Sequence, residues 1–216
     1  MKEFEMKNGN KMPALGLGTS GLKGKECTRV VKEALELGYR QIDTADMYQN
    51  HRAIAEALNE SDVNREDLFI TSKIQSKDLE YKQLKITAAR LLDELDLEYF
   101  DLLLIHWPSP EVKELLDFAF KNDIILTAYA PLAQGEVFEN SVLKSLGEKY
   151  DKTPAQLALR WLIEKNIVAI PKASSEAHLK NNLEIFDWDF PIDAAREMEL
   201  LDQNNRLIDP GYPNFD

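Results

Sequence analysis

The sequence predicts an α/β fold in which parallel strands alternate with helices. Three observations carry the prediction. The runs 13–18, 39–45, 67–73, 100–106, 124–130 and 167–172 are short and apolar on both faces, as strands are when helices cover both sides of a parallel sheet. Between them lie stretches with apolar residues at helical spacing, which supply the crossover connections that parallel strands need. No linker, repeat or low-complexity segment divides the chain, so residues 1–216 read as a single domain.

Taken in order, MPALGLGTS (12–20) is a short strand entering a glycine-rich turn. The stretch 26–38 places Val30, Val31, Ala34, Leu35 and Leu37 mostly at helical spacing and stops at Gly38, a C-terminal cap. A strand follows at 39–45, then a helix at 51–60 with Ile54, Ala55 and Leu58 on one face. After the strand at 67–73, residues 81–95 carry Leu84, Ala88, Leu91, Leu92 and Leu95 on one helical face. The apolar strand at 100–106 leads to a helix over 111–123 and the next strand at 124–130. Residues 139–150 read as helix, and Thr153 with Pro154 have the types of an N-cap and a first helical position. The strand at 167–172, helices near 175–184 and 192–203, and an irregular tail complete the chain.

The composition narrows the function. A formal net charge of −12 leaves no basic surplus to neutralise nucleic-acid phosphates. One small anion needs only a local basic site. The single cysteine, Cys27, excludes an internal disulfide, and three histidines show no zinc spacing. The polar start MKEFEMKNGNKMP lacks the apolar core of a secretory signal, and no run reaches membrane-spanning length. The expectation is a cytoplasmic protein without a metal, without nucleic acid and without a membrane partner.

In parallel α/β folds, chemistry sits where strands end and helices begin. Those ends carry Asp43 and Tyr48, Lys73, His106, Tyr129 and Lys172. A phenol titrates near ~10 and donates poorly unless its phenolate is favoured, and a nearby ammonium favours it. A carboxylate holds such an ammonium charged and in place. A neutral imidazole can donate to a carbonyl oxygen. Together they could protonate a carbonyl oxygen while a hydride from a cofactor reaches its carbon. Taken singly, each residue has a plainer reading: Asp43 as a helix cap, Tyr48 as a packing tyrosine, Lys73 as a solvated strand end, His106 as a core histidine. The combination at four strand ends favours the site.

The stretches LGLGTS, YRQIDTADMYQN, LFITSKI, DLLLIHWPSP, LTAYAPLAQG, TPAQLALRW and IPKAS, followed by NN, resemble the aldo-keto reductases, in particular the group like 2,5-diketo-D-gluconate reductase. They span residue 12 to about residue 190. The resemblance implies a (β/α)8 TIM barrel that reduces aldehydes or ketones to alcohols with NADPH. It implies Tyr48 as general acid, Lys73 as its modulator held by Asp43, and His106 as the carbonyl-orienting residue. It also assigns cofactor contacts to Thr19, Asp43, Tyr129, Leu132, Lys172, Ser174 and Asn182, with Trp107 and Ser20 at the substrate pocket. Several positions depart from the family pattern: Ala173 and His178 stand where many members have serine and arginine, Asn181 where a glutamate is usual, and Ser20 where a tryptophan is common. A lost arginine removes a bidentate phosphate contact, so a weakened NADPH preference, with NADH as an alternative, is expected.

The family normally continues after HWPSP with two further strands and two helices, whose Ser, Asn and Gln hold the nicotinamide carboxamide. Here Pro110 is followed by EVKELLDFAFKND, which resembles the family's sixth helix. The expected fold is therefore a barrel shortened to about six β/α units, incomplete or distorted, with completion by a homodimer as one route to closure. Strand number, tilt and shear are linked, so six strands do not keep eight-strand geometry. Two functions follow: a carbonyl reductase using NADPH or NADH, or a catalytically impaired nucleotide-binding or interaction module.

Overall fold

A computed structural model of the chain describes residues 2–6, 9–75, 81–106, 125–128 and 130–201. The strands in chain order are β1 (Glu3–Glu5), β2 (Lys11–Pro13), β3 (Leu17–Gly18), β4 (Gln41–Asp43), β5 (Phe69–Ile74), β6 (Leu102–Ile105), β7 (Leu126–Ala128) and β8 (Ile167–Ala169). The helices are α1 (Gly24–Glu36), α2 (His51–Asn59), α3 (Tyr81–Leu95), α4 (Ser141–Tyr150), α5 (Pro154–Glu164), α6 (Glu176–Leu183) and α7 (Ile192–Glu199). The backbone divides into two compact units. One comprises Leu15–Pro108 and Lys172–Lys180, the other Met1–Ala14, Ser109–Pro171 and Asn181–Asp216.

The first unit is built on a parallel sheet in the order β3-β4-β5-β6. Its register sets Gly18 beside Asp43, Asp43 beside Thr71, and Lys73 beside Leu104. Side chains alternate between faces along a strand. Gln41 and Asp43 therefore share one face with Thr71 and Lys73, while Ile42, Ile70 and Ile74 point to the helical layer. That second face supplies the core: Ile42, Ile54, Ile70, Leu91 and Leu95 are all buried, each such side chain contributing roughly 1.5–3 kcal/mol. On α1 the buried residues Cys27, Val30, Val31, Ala34 and Leu35 follow the helical stripe. The helix stops where predicted: Gly38 takes φ +97° and donates to Leu35 O at 3.0 Å, a left-handed turn that favours glycine.

In the second unit β7 and β8 pair in parallel. Val137, Leu143, Leu146, Leu157, Ala158, Ala194 and Met198 form a buried cluster beside them. Asn140 Oδ1 caps α4 by accepting from Val142 N and Leu143 N. Thr153 caps α5 as the sequence predicts. Its hydroxyl accepts from Gln156 N while the Gln156 side chain accepts from Thr153 N, a reciprocal capping box. The antiparallel hairpin β1-β2 was not predicted. Its signal was the Asn8-Gly9 pair, and Gly9 adopts φ +84° in the turn.

The six parallel strands that the sequence predicts are all present, each trimmed by one or more residues, and they lie in two separate parallel sheets among the described residues. The fold is thus α/β with parallel strands in shortened form. The predicted helix at 111–123 and the junction after Pro110 fall outside the described residues. No described helix is long and apolar enough to cross a membrane.

Candidate active site

Lys73 is the next-to-last residue of β5, a strand buried along its whole length. An ammonium there requires partners, because desolvating an unpaired charge is costly. Two are supplied: Lys73 Nζ donates to Asp43 Oδ1 and to Thr44 O, the latter at 3.1 Å. Asp43 is neither a helix cap nor solvated, and Lys73 is not a solvated strand end; they are 3% and 6% exposed. Thr19, just after β3, fixes Asp43, its N and Oγ1 both donating to Asp43 O at 3.0 and 2.9 Å.

Tyr48 ends a 3-10 turn over Asp46–Tyr48. Buried Asn50, which sequence reasoning passed over, ties this loop down: Oδ1 accepts from Thr44 Oγ1 at 2.7 Å, and Nδ2 donates to Thr19 O and Leu22 O. The Tyr48 ring lies with its centroid 5.2 Å from Lys73 Nζ. It meets the His106 ring edge-on, centroids 5.5 Å apart at 79°. The backbone N of His106 donates to Ile74 O at 2.9 Å, continuing the β5–β6 ladder. The four sequence-predicted residues are therefore brought together, all within the first unit.

The electrostatics assign charge states. Burial pushes the Tyr48 phenol up to about 12, Asp43 adds to the rise, and a hydrogen bond with Ser20 opposes it. The net shift of this phenol is upward, with burial its largest cause. Burial also raises the Asp43 carboxyl, while Lys73 pulls it down by charge and hydrogen bond. His106 is held down to about 4 by burial and by Lys73, against an opposing pull from Asp46. At neutral pH the phenol is protonated and the imidazole neutral, beside the hydrogen-bonded Asp43–Lys73 pair.

A second set of polar residues surrounds the Tyr48 turn from outside. Asp46 accepts from Arg90 Nη2 at 2.8 Å and from Gln75 Nε2 at 3.2 Å. Arg90 Nη1 donates to Glu94 at 2.8 Å, and His51 bridges Glu94 to Ser72 Oγ with 3.1 Å on each side. The only sequence hint of this chain was the i,i+4 spacing of Arg90 and Glu94.

Of the expected cofactor residues, Lys172 and Ser174 belong to the first unit. Lys172 is exposed and bridges to Gly18, and Ser174 O accepts from Arg29 Nη2 at 3.0 Å. Arg29, also paired with Glu33, was not singled out from the sequence. His178, at the position of the missing arginine, is exposed, its backbone N donating to Ser175 Oγ at 3.3 Å. Leu132 and Asn182 lie in the second unit, Leu132 against its apolar cluster and Asn182 buried on α6. Asn181 there accepts from Thr153 Oγ1. Trp107 and Tyr129 lie outside the described residues.

The chain matches the model of the aldo/keto reductase family in two pieces, residues 14–115 and 111–203, which meet where the missing segment was expected. It is 30% identical to methylglyoxal reductase of Escherichia coli K12 over 263 residues, covering 94% of both chains. It is 31% identical to glyoxal reductase of Bacillus subtilis 168 over 258 residues, again covering 94% of both. Both alignments exceed the 216 residues of this chain, so they contain residues of the relatives that have no counterpart here. A solved candidate 2,5-diketo-D-gluconic acid reductase B superposes with a TM-score of 0.92 at 27% identity, covering 100% of this chain and 98% of that one. Matched by the family model over most of its length and similar end to end to these relatives, the chain belongs to the aldo/keto reductase family, in a shortened form.

Proposed function

We propose that the protein reduces small aldehydes or ketones to alcohols with a nicotinamide dinucleotide, NADPH before NADH, and that Tyr48 donates the proton. The observation that carries this reading is the buried Asp43–Lys73 pair with the Tyr48 ring 5.2 Å from its ammonium and the His106 ring 5.5 Å from Tyr48. The set contains a proton donor and no reductant, which fits a hydride-carrying cofactor. Exposed Lys172 and the Arg29–Ser174 contact offer cationic groups for a phosphate. Arg29 partly replaces the guanidinium absent at His178, which favours retention of NADPH. Within the first unit, Thr19, Asp43 and Ser174 complete the proposed cofactor contacts, and Ser20 the substrate contact. The chain is read as one functional domain.

The cofactor, when bound, supplies the hydride. His106, neutral because its ring is held at about 4, donates a hydrogen bond to the carbonyl oxygen and orients it. As negative charge builds on that oxygen, the Tyr48 O–H is the group that passes it a proton. The ammonium of Lys73 stabilises the phenolate left behind, and Asp43 keeps Lys73 charged and fixed. Tyr48 begins as a reluctant acid at about 12, so the transfer depends on charge developing in the transition state. The similarity to methylglyoxal and glyoxal reductases makes short dicarbonyls the first substrates to try.

Tyr48→Phe tests the assignment. Methylglyoxal-dependent oxidation of NADPH should fall by at least about 10²-fold, with cofactor binding and the unfolding midpoint preserved. Unchanged turnover would refute the role of Tyr48. One observation favours a second reading: the shortening removes chain that the relatives possess. Saturable quenching of tryptophan fluorescence by NADPH without turnover of any carbonyl would identify a nucleotide-binding module. Light scattering decides whether a homodimer forms.

A further inference from the structure

The face of the sheet that carries Asp43 and Lys73 holds two more polar side chains the proposed reaction does not use. Thr71 is the register partner of Asp43, and Gln41 lies one pleat below Asp43 on the same strand. Gln41 is 0% and Thr71 1% exposed. Among the described residues, neither the amide nitrogen nor the amide oxygen of Gln41 has a protein partner, and neither has the Thr71 hydroxyl. A glutamine amide offers two donors and an acceptor with two lone pairs. Burying three such atoms unsatisfied forfeits their full hydration, and native interiors avoid it by holding ordered water. The neighbouring strand leaves that face bare: Gly16 and Gly18 have no side chains. A Cβ at Gly16 would come within 2.8 Å of Gln41 Cγ and Cδ, so the glutamine lies against the backbone just before β3.

We infer that Gln41 and Thr71 form a buried water-binding site on the inner face of the sheet, directly behind the Asp43–Lys73 pair. Water held there satisfies the amide and the hydroxyl together. It also backs the ion pair with mobile dipoles where Ile, Leu or Val at the same two positions would present hydrocarbon. The site does not depend on the reductase reading: it follows from burial and hydrogen-bonding capacity alone.

The test compares Gln41→Met, Thr71→Val and the double variant with the parent by thermal unfolding. If water is bound, each single change lowers the midpoint by about 2–4 °C or more. The double variant then loses less than the sum, because both partners share the same water. If the amide is simply dry, replacing it with a near-isosteric apolar chain leaves the midpoint unchanged or raises it, which overturns the inference. Additive losses overturn it as well. Should a variant fail to fold, a crystal structure of the parent showing ordered solvent decides. Water within hydrogen-bond reach of Gln41 Nε2 or Oε1 and of Thr71 Oγ1 supports the site, and its absence there refutes it.

Discussion

Replacing Lys73 with Met should be among the most destabilising single changes in this protein, and the reason is Asp43. The two side chains are 8% and 4% exposed. Deleting the ammonium strands a carboxylate in an environment that water scarcely reaches. Breaking a buried pair in this way costs about 3–5 kcal/mol, against a total stability of roughly 5–15 kcal/mol. The thermal midpoint of a chain this size should fall by about 6–20 °C. Urea unfolding followed by tryptophan fluorescence measures the loss. Removing both charges, in Lys73→Met with Asp43→Leu, should restore most of it, since an apolar pair no longer leaves a charge uncompensated. The pH dependence has a definite sign. In the single variant burial raises the Asp43 carboxyl with nothing to pull it down, so the folded state binds the proton more tightly than the unfolded chain. Stability then falls as pH rises through that interval, and the deficit is smallest in acid. A single variant as stable as the parent at neutral pH, or a double variant no better than the single, would refute the buried-pair reasoning.

His106 predicts the opposite slope. Its ring is held at about 4 rather than 6.5, so the stability it contributes is complete above 6.5 and is lost as pH falls towards 4. His106→Gln should flatten that part of the unfolding curve, with a residue of the same sign from His51, which burial also lowers. Thr153→Ala should cost about 1 kcal/mol by deleting the α5 cap, seen as a midpoint about 2–4 °C lower; Thr153→Ser should retain it. Lys172→Ala should raise KM for NADPH roughly tenfold, equivalent to about 1.4 kcal/mol, while leaving KM for NADH unchanged in steady-state assays.

Particular residues show what the sequence could and could not reveal. Runs apolar on both faces marked each parallel strand, and caps such as Gly38 and Thr153 could be located because their chemistry is local. Asp43, Tyr48, Lys73 and His106 were singled out because strand ends are where function concentrates in such folds, and the structure brings the four together. Their charge states were not legible: whether Lys73 lowers Tyr48 depends on how much burial competes, and burial is a property of the packed chain. Asn50 and Arg29 were missed for the same reason, since their partners at Thr19 and Ser174 are 31 and 145 residues away. The unpartnered amide of Gln41 is likewise invisible until the register sets it beneath Asp43.

The turn that presents Tyr48 is held by Asp46, and the arginine that grips Asp46 is 45% exposed along its side chain. Tyr48, the proposed proton donor, is half-buried, while one of the anchors of its turn lies well out in solvent. Ions that screen the Arg90–Asp46 attraction loosen the turn and act on kcat, separately from whatever they do to a charged cofactor and its KM. Ionic strength becomes a lever on the placement of a single hydroxyl, applied from the outer surface of the molecule.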